Sequence, residues 1–157
     1  MATMMQTPTT SLAPADVPIR LVARVVDAAL LTAFALALGW KIGFGFDWLI
    51  LTAAIVFAYF VLADVFAGAT LGKAALRLQV VSQNGSGPSL KQAAIREFFI
   101  LLGAIPFAGP FFALAAWIWI VVTIRSSPVR QGVHDRWAGT RVIRRAASRQ
   151  LTEDSGT

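Results

Sequence analysis

Residues 98–124 read FFILLGAIPFAGPFFALAAWIWIVVTI, 27 consecutive uncharged residues with Gly103, Pro106, Gly109 and Pro110 in their middle. Whether this stretch crosses a bilayer once or turns back decides the fold. One helix of this length, at about 1.5 Å per residue, would more than span a hydrocarbon core of about 30 Å, but the clustered prolines and glycines break helices. The flanks tip the choice. Segment 65–97 holds Lys73, Arg77, Lys91 and Arg96, and segment 125–149 holds Arg125, Arg130, Arg136, Arg141, Arg144, Arg145 and Arg149. Basic segments favour the cytoplasm, so both belong on one side, which two crossings allow and one does not. The pattern predicts a Pro/Gly-broken hairpin, with helices over 89–105 and 109–125 and Ser89 as N-cap, in preference to a single span. Lys91, Arg96 and Glu97 on its first arm would not tolerate lipid and are expected to face the bundle.

Upstream, 20–39 and 48–66 are two further apolar stretches of spanning length, the second interrupted only by Asp64. Between them, Lys41, Gly43, Gly45 and Asp47 form a short turn bracketed by Trp40 and Trp48, an arrangement suited to a membrane interface. A cleavable signal is disfavoured, because Asp27 interrupts the first apolar core and a second span follows at once. The expectation is an all-α, multi-pass membrane protein, a four-helix bundle in the bacterial cytoplasmic (inner) membrane with both termini cytoplasmic. Residues 1–19 and 146–157 read as disordered tails around a membrane domain over 20–145. Leu76 to Val81 and Thr140 to Arg144 are β-branched runs that could pair as a small cytoplasmic ribbon, and Asn84-Gly85 favours a tight turn.

Composition agrees and excludes much else. Of 157 residues, 57% are hydrophobic and 14% charged, with mean hydropathy +0.67, too apolar for a soluble domain of this size. No cysteine and one histidine leave no disulfide, thiolate metal site or cysteine nucleophile, and no serine stands at a nucleophile elbow. No enzyme, metal or cofactor is expected. The net charge of +6 points to acidic lipid headgroups, with Arg141, Arg144, Arg145 and Arg149 against them, and not to nucleic acid. Gly68 to Ala74 is one residue short between its glycines for a phosphate-binding loop, and Ala74 removes the hydroxyl that would ligate magnesium. Asn84-Gly85-Ser86 forms a glycosylation sequon that a cytoplasmic loop would not expose.

The candidate site is a charge cluster of Arg20, Arg24, Asp27 and Asp135. Arg20, Arg24 and Asp27 fall at i, i+4 and i+7 on one helix stripe, so Arg24 can reach Asp27, whose lone charge in a span would cost about 2.5–3.5 kcal/mol. Asp64, Lys73, Arg96 and His134 are secondary candidates: Asp64 as an interfacial acid near Lys73 or Arg77, and His134 as a proton relay beside Asp135. Either an ion pair that orients the helices or a transport site fits this cluster.

Four pieces in order, Arg20 to Asp27 (RLVARVVD), Gly68 to Lys73 leading into Leu76 to Val81, Ser89 to Glu97, and His134 to Val142 (HDRWAGTRV), make the chain resemble the RDD family of bacterial membrane proteins over about residues 18–144. The resemblance maps the family's two aspartates to Asp27 and Asp135 and its arginine to Arg20, with Arg24 as competitor. It implies an integral membrane protein, with transport of unidentified ligands suggested and sodium/proton exchange proposed for some members. Two functions follow as expectations: a small, oligomeric transporter or exchanger, or a non-catalytic module that binds lipid or a partner protein.

Overall fold

The computed structural model describes residues 14–105 and 107–144. Of the expected disordered tails 1–19 and 146–157, residues 1–13 and 146–157, with Arg149, lie outside the described residues, as does Arg145, whereas residues 14–19 are ordered against the rest of the fold, which corrects that part of the expectation. Helix α1, Val17–Ile42, begins three residues before the expected start, because Pro18 suits a first turn that needs no N–H donor. It is about 39 Å long at 1.5 Å per residue. The return takes only residues 43–45, where Gly43 adopts φ 90°, and Trp48 staples it by donating Nε1–H to the Ala35 carbonyl at 2.8 Å. Helix α2, Phe46–Leu62, continues through a π-helical turn, Ala63–Ala67, and ends on Gly68 in the left-handed region. Val17–Ile42 and Phe46–Ala67 are both long and apolar enough to cross a membrane. Their outer faces leave Leu30, Phe34, Ile50 and Leu51 exposed, as lipid-facing residues would be.

A short helix α3, Leu71–Ala75, follows, capped by Thr70, whose hydroxyl accepts from the Lys73 N–H. Strand β1, Leu78–Ser82, then leads to a loop in which Asn84 Oδ1 accepts from both the N–H and the hydroxyl of Ser86. That loop does not form a hairpin. The partner of β1 is the distant strand β2, Thr140–Arg144, antiparallel in the register Leu78↔Arg144 to Ser82↔Thr140. Its packed face, Leu78, Val80 and Val142, meets Ala15 and Ala23 of the N-terminal arm and α1. Pro14 bridges Ile143 and the Ala15 N–H donates to the Val142 carbonyl at 3.1 Å, so residues 14–16 are held against this ribbon.

Ser89 caps helix α4, Leu90–Glu97, in a full capping box with Gln92. The expected helix over 89–105 is corrected in detail. After Glu97 the winding tightens to a 3-10 helix, Phe98–Ala104, which rises about 2 Å per residue and turns Phe99 edge-on to Trp117 at 6.0 Å. Beyond it the chain folds back as predicted. Gly109 opens helix α5, Gly109–Ser126, against the other arm, where a Cβ on it would stand 2.5 Å from the Gly103 carbonyl oxygen. Phe107 marks the tip, 96% exposed with φ 61°. Helix α6, Val133–Ala138, closes on Gly139 and delivers the chain to β2. The molecule is thus mostly helical, with two apolar spans, a folded-back apolar hairpin and a two-stranded sheet.

Candidate functional site

Asp27 lies inside α1 with no solvent exposure, and three uncharged donors surround it. The Tyr59 hydroxyl of α2 donates to Oδ1 at 2.9 Å, the Thr70 hydroxyl to Oδ2 at 2.5 Å, and the Gly72 N–H to Oδ1 at 2.8 Å. Hydrogen bonds to a buried carboxylate replace the water it has lost. No cation stands within ion-pair distance of it among the described residues. The run Gly68 to Lys73 reads directly from this cradle. Gly68 takes φ 65°, Thr70 supplies a hydroxyl, and Gly72 passes so close to α1 that a Cβ would stand 2.1 Å from the Ala23 carbonyl oxygen. Lys73 then reaches back to Asp64.

The remaining buried charges form a separate ladder. Lys73 Nζ donates to both Asp64 oxygens, at 2.7 and 3.0 Å, and Arg96 Nη1 stands 3.5 Å from the same carboxylate. The π-helical turn at the end of α2 is where Asp64 leaves the helix pattern, and the residue is fully buried. Arg96 Nε also lies 3.7 Å from Glu97 and 3.3 Å from Asp135. Arg24 donates to Glu97 at 2.7 Å, and Arg20 to Asp135 at 2.9 Å. Arg20 further donates to the Ala15 and Val142 carbonyls, joining α1 to the ribbon. The ladder thus sets three buried acids (Asp64, Glu97, Asp135) against four cations (Arg20, Arg24, Lys73, Arg96), and the charges balance only when the separate Asp27 is counted with them.

Burial lowers the Lys73 ammonium below its ordinary range, with Arg96 adding to the effect and Asp64 opposing it. Burial alone would raise the Asp135 carboxyl, but His134, Arg96 and Arg20 together hold it down to about 2. Burial pushes His134 down to about 4, although Asp135 stands 3.4 Å from Nε2. At neutral pH the imidazole is therefore uncharged, and the two guanidiniums keep Asp135 ionised.

Arg24 is also wrapped by rings: its guanidinium lies 3.9 Å from the Phe60 centroid, 5.3 Å from Trp117 and 5.6 Å from Phe99. It lines two spaces. One is a cavity of about 60 Å³ bordered by Arg20, Arg24, Lys73, Arg96, Glu97 and His134. The other is a cleft of about 300 Å³ that runs between α1 and α2, past Thr32 and Thr52, with Trp117 shared by both.

The expected convergence of Arg20, Arg24, Asp27 and Asp135 is corrected on Asp27. Arg20 and Asp135 do meet, but Arg24 turns to Glu97 and the aromatic rings, and Asp27 faces α2 and α3. Asp64 is no water-exposed interfacial acid, although its pairing with Lys73 is as expected. Arg96 and Glu97 face inward as expected, whereas Lys91, one turn earlier in α4, is exposed. Arg144 is exposed and Arg141 half-buried on β2, so part of the basic tail is strand. The sequence reading passed over Tyr59, Thr70 and Gly72 as ligands of Asp27. A tyrosine inside an otherwise apolar span and the spacing of Thr70 and Gly72 beside Lys73 were the available signals.

The sequence model of the RDD family matches residues 14–139, a range that includes every residue of the cradle and the ladder. No curated protein and no solved structure matches the chain.

Proposed function

This chain belongs to the RDD family and is a membrane protein, and from that premise we propose that it is a small transporter whose ion-binding site is the buried charge ladder at the cytoplasmic end of a four-crossing bundle. In this reading α1, α2, the α4/3-10 arm and α5 all cross the bacterial inner membrane, the β1–β2 ribbon is cytoplasmic, and both termini are cytoplasmic. The exposed Arg77, Lys91, Arg125, Arg136 and Arg144 stand on the connections at one end, where they would meet acidic headgroups. A C-terminal reporter fusion that is active only in the periplasm would overturn this orientation.

The observation that supports transport is the position of Arg24, whose guanidinium borders both the charged cavity and the cleft between the two long spans. A side chain held at such a junction by one carboxylate and three rings can swing between them, opening a path from the ladder into the apolar half. Four crossings enclose little space, so a homo-oligomer is the assembly in which such a path would be sheltered. Proteoliposomes carrying the full chain should show ion flux that Arg24→Ala abolishes while the protein stays folded. Wild-type vesicles with no flux of any monovalent ion would overturn the proposal.

One feature favours a second reading, a non-catalytic module that binds lipid or a partner: each acid of the ladder already has its own cation, Lys73 for Asp64, Arg24 for Glu97 and Arg20 for Asp135, without any ligand. In that case the ladder fixes the angle between the spans and the ribbon, and Arg24→Ala lowers stability with no transport phenotype.

A further inference from the structure

We infer that the ion held in the cavity beside Arg96 is a small monovalent anion of about the size of chloride. The inference deepens the reading of the ladder as an ion site and rests on it. Four cations, Arg20, Arg24, Lys73 and Arg96, border this cavity, against the single acid Glu97 and an uncharged His134. Asp64 and Asp135 pair with those cations from behind and do not line the space. An entering ion therefore meets positive charge, and a cation would have to displace it.

Arg96 supplies the second observation. It is 4% exposed, yet its Nε and Nη1 make no hydrogen bond: Asp135 Oδ1 at 3.3 Å, itself without a hydrogen-bond partner, and Asp64 Oδ2 at 3.5 Å stand only at ion-pair distance. Buried N–H groups without an acceptor are rare in native proteins, and an ion or water position is one of the explanations for them. A halide answers that need, since it accepts N–H bonds from any direction. The cleft beyond keeps the same sign. Among the described residues that line it, the only charged one is Arg24, the other polar side chains are Thr32, Thr52 and the Trp117 indole, and Thr52 Oγ1 is buried without a partner. Among the described residues no carboxylate lines it, so a cation leaving the cavity would meet no counter-charge there.

Size narrows the class. About 10–15 Å³ of such space holds one water, so about 60 Å³ holds a few waters or one desolvated monovalent anion.

The full chain, purified in an uncharged detergent in chloride-free gluconate buffer, is titrated with chloride while the ³⁵Cl line width is followed, and then with sodium at fixed chloride. The expected result is saturable broadening that bromide competes away, unchanged by sodium. Arg96→Gln should weaken it at least tenfold. Because that variant could lose its fold, Val121→Phe serves as the second: it fills the cavity from α5, leaves every charge in place, and should also weaken binding at least tenfold in protein that elutes as the wild type does. Absence of saturable broadening, or broadening that survives Val121→Phe, overturns the inference. In parallel vesicles, chloride binding without flux upholds the anion and sinks transport, whereas sodium flux from protein that binds no chloride upholds transport and sinks the anion.

Discussion

Two regions of this molecule bury carboxylates, and they stabilise them by opposite means. The cradle holds Asp27 with two hydroxyls and one N–H, all neutral, drawn from α2 and the start of α3. The ladder holds Asp64, Glu97 and Asp135 with Lys73 and three arginines drawn from α1, α3 and α4. The cradle ties α1 to its neighbours, for its donors are a tyrosine of α2, the residue that caps α3 and a glycine pressed against α1. The ladder fixes side chains and leaves two Arg96 N–H groups and Asp135 Oδ1 in ion pairs without a hydrogen bond. Fixed donors suit an anchor. Incompletely bonded, mutually compensating charges suit a site.

The largest effect should come from the ladder's centre. Arg96→Met removes the guanidinium shared by Asp64, Glu97 and Asp135, each of which keeps one closer partner (Lys73, Arg24 and Arg20), and the folded protein should lose about 3–4 kcal/mol, read as thermal unfolding in detergent. The cradle should fail next on geometry. Gly72→Ala drives a methyl into the Ala23 carbonyl, with a loss of about 3 kcal/mol, whereas Gly87→Ala, in open space, should do little. Asp27→Asn keeps the shape but sets an amide N–H₂ against donors, and about 2 kcal/mol should go. If Asp27→Asn proved as costly as Arg96→Met, the cradle would have to hide a cation and the contrast would collapse.

The pH response separates the regions further. His134 is driven down to about 4 from an ordinary 6.5, so the unfolded chain binds its proton first. Its contribution is intact above pH 6.5 and is lost as pH falls toward 4, at up to about 1.4 kcal/mol per pH unit. His134→Gln should flatten the melting temperature between pH 6.5 and 4. Asp135, held at about 2, should matter only below pH 4. The smallest effect belongs to Ser89→Ala, about 1 kcal/mol, because it removes only the α4 cap.

The hairpin, the two spans and the pairing of β1 with β2 were legible in the sequence because each is a statement about apolar runs, breakers and β-branched residues. Pairing of individual charges was not. Arg24 and Asp27 are three apart on one helix, and spacing alone would join them. What separates them is the packing of α3 on one side of α1 and of α4 and α5 on another, a long-range outcome that gives Asp27 better donors and Arg24 a ring cage. The tightening after Glu97 was equally hidden, since an apolar run carries no mark of 3-10 winding.

A pair of double-mutant cycles in one thermal-unfolding assay tests this separation most directly. Arg24→Gln combined with Glu97→Gln should show a coupling of at least about 1 kcal/mol, and Arg24→Gln combined with Asp27→Asn should be additive within about 0.5 kcal/mol. Strong coupling of Arg24 to Asp27 with none to Glu97 would contradict the account, and would place Asp27 in the ladder after all.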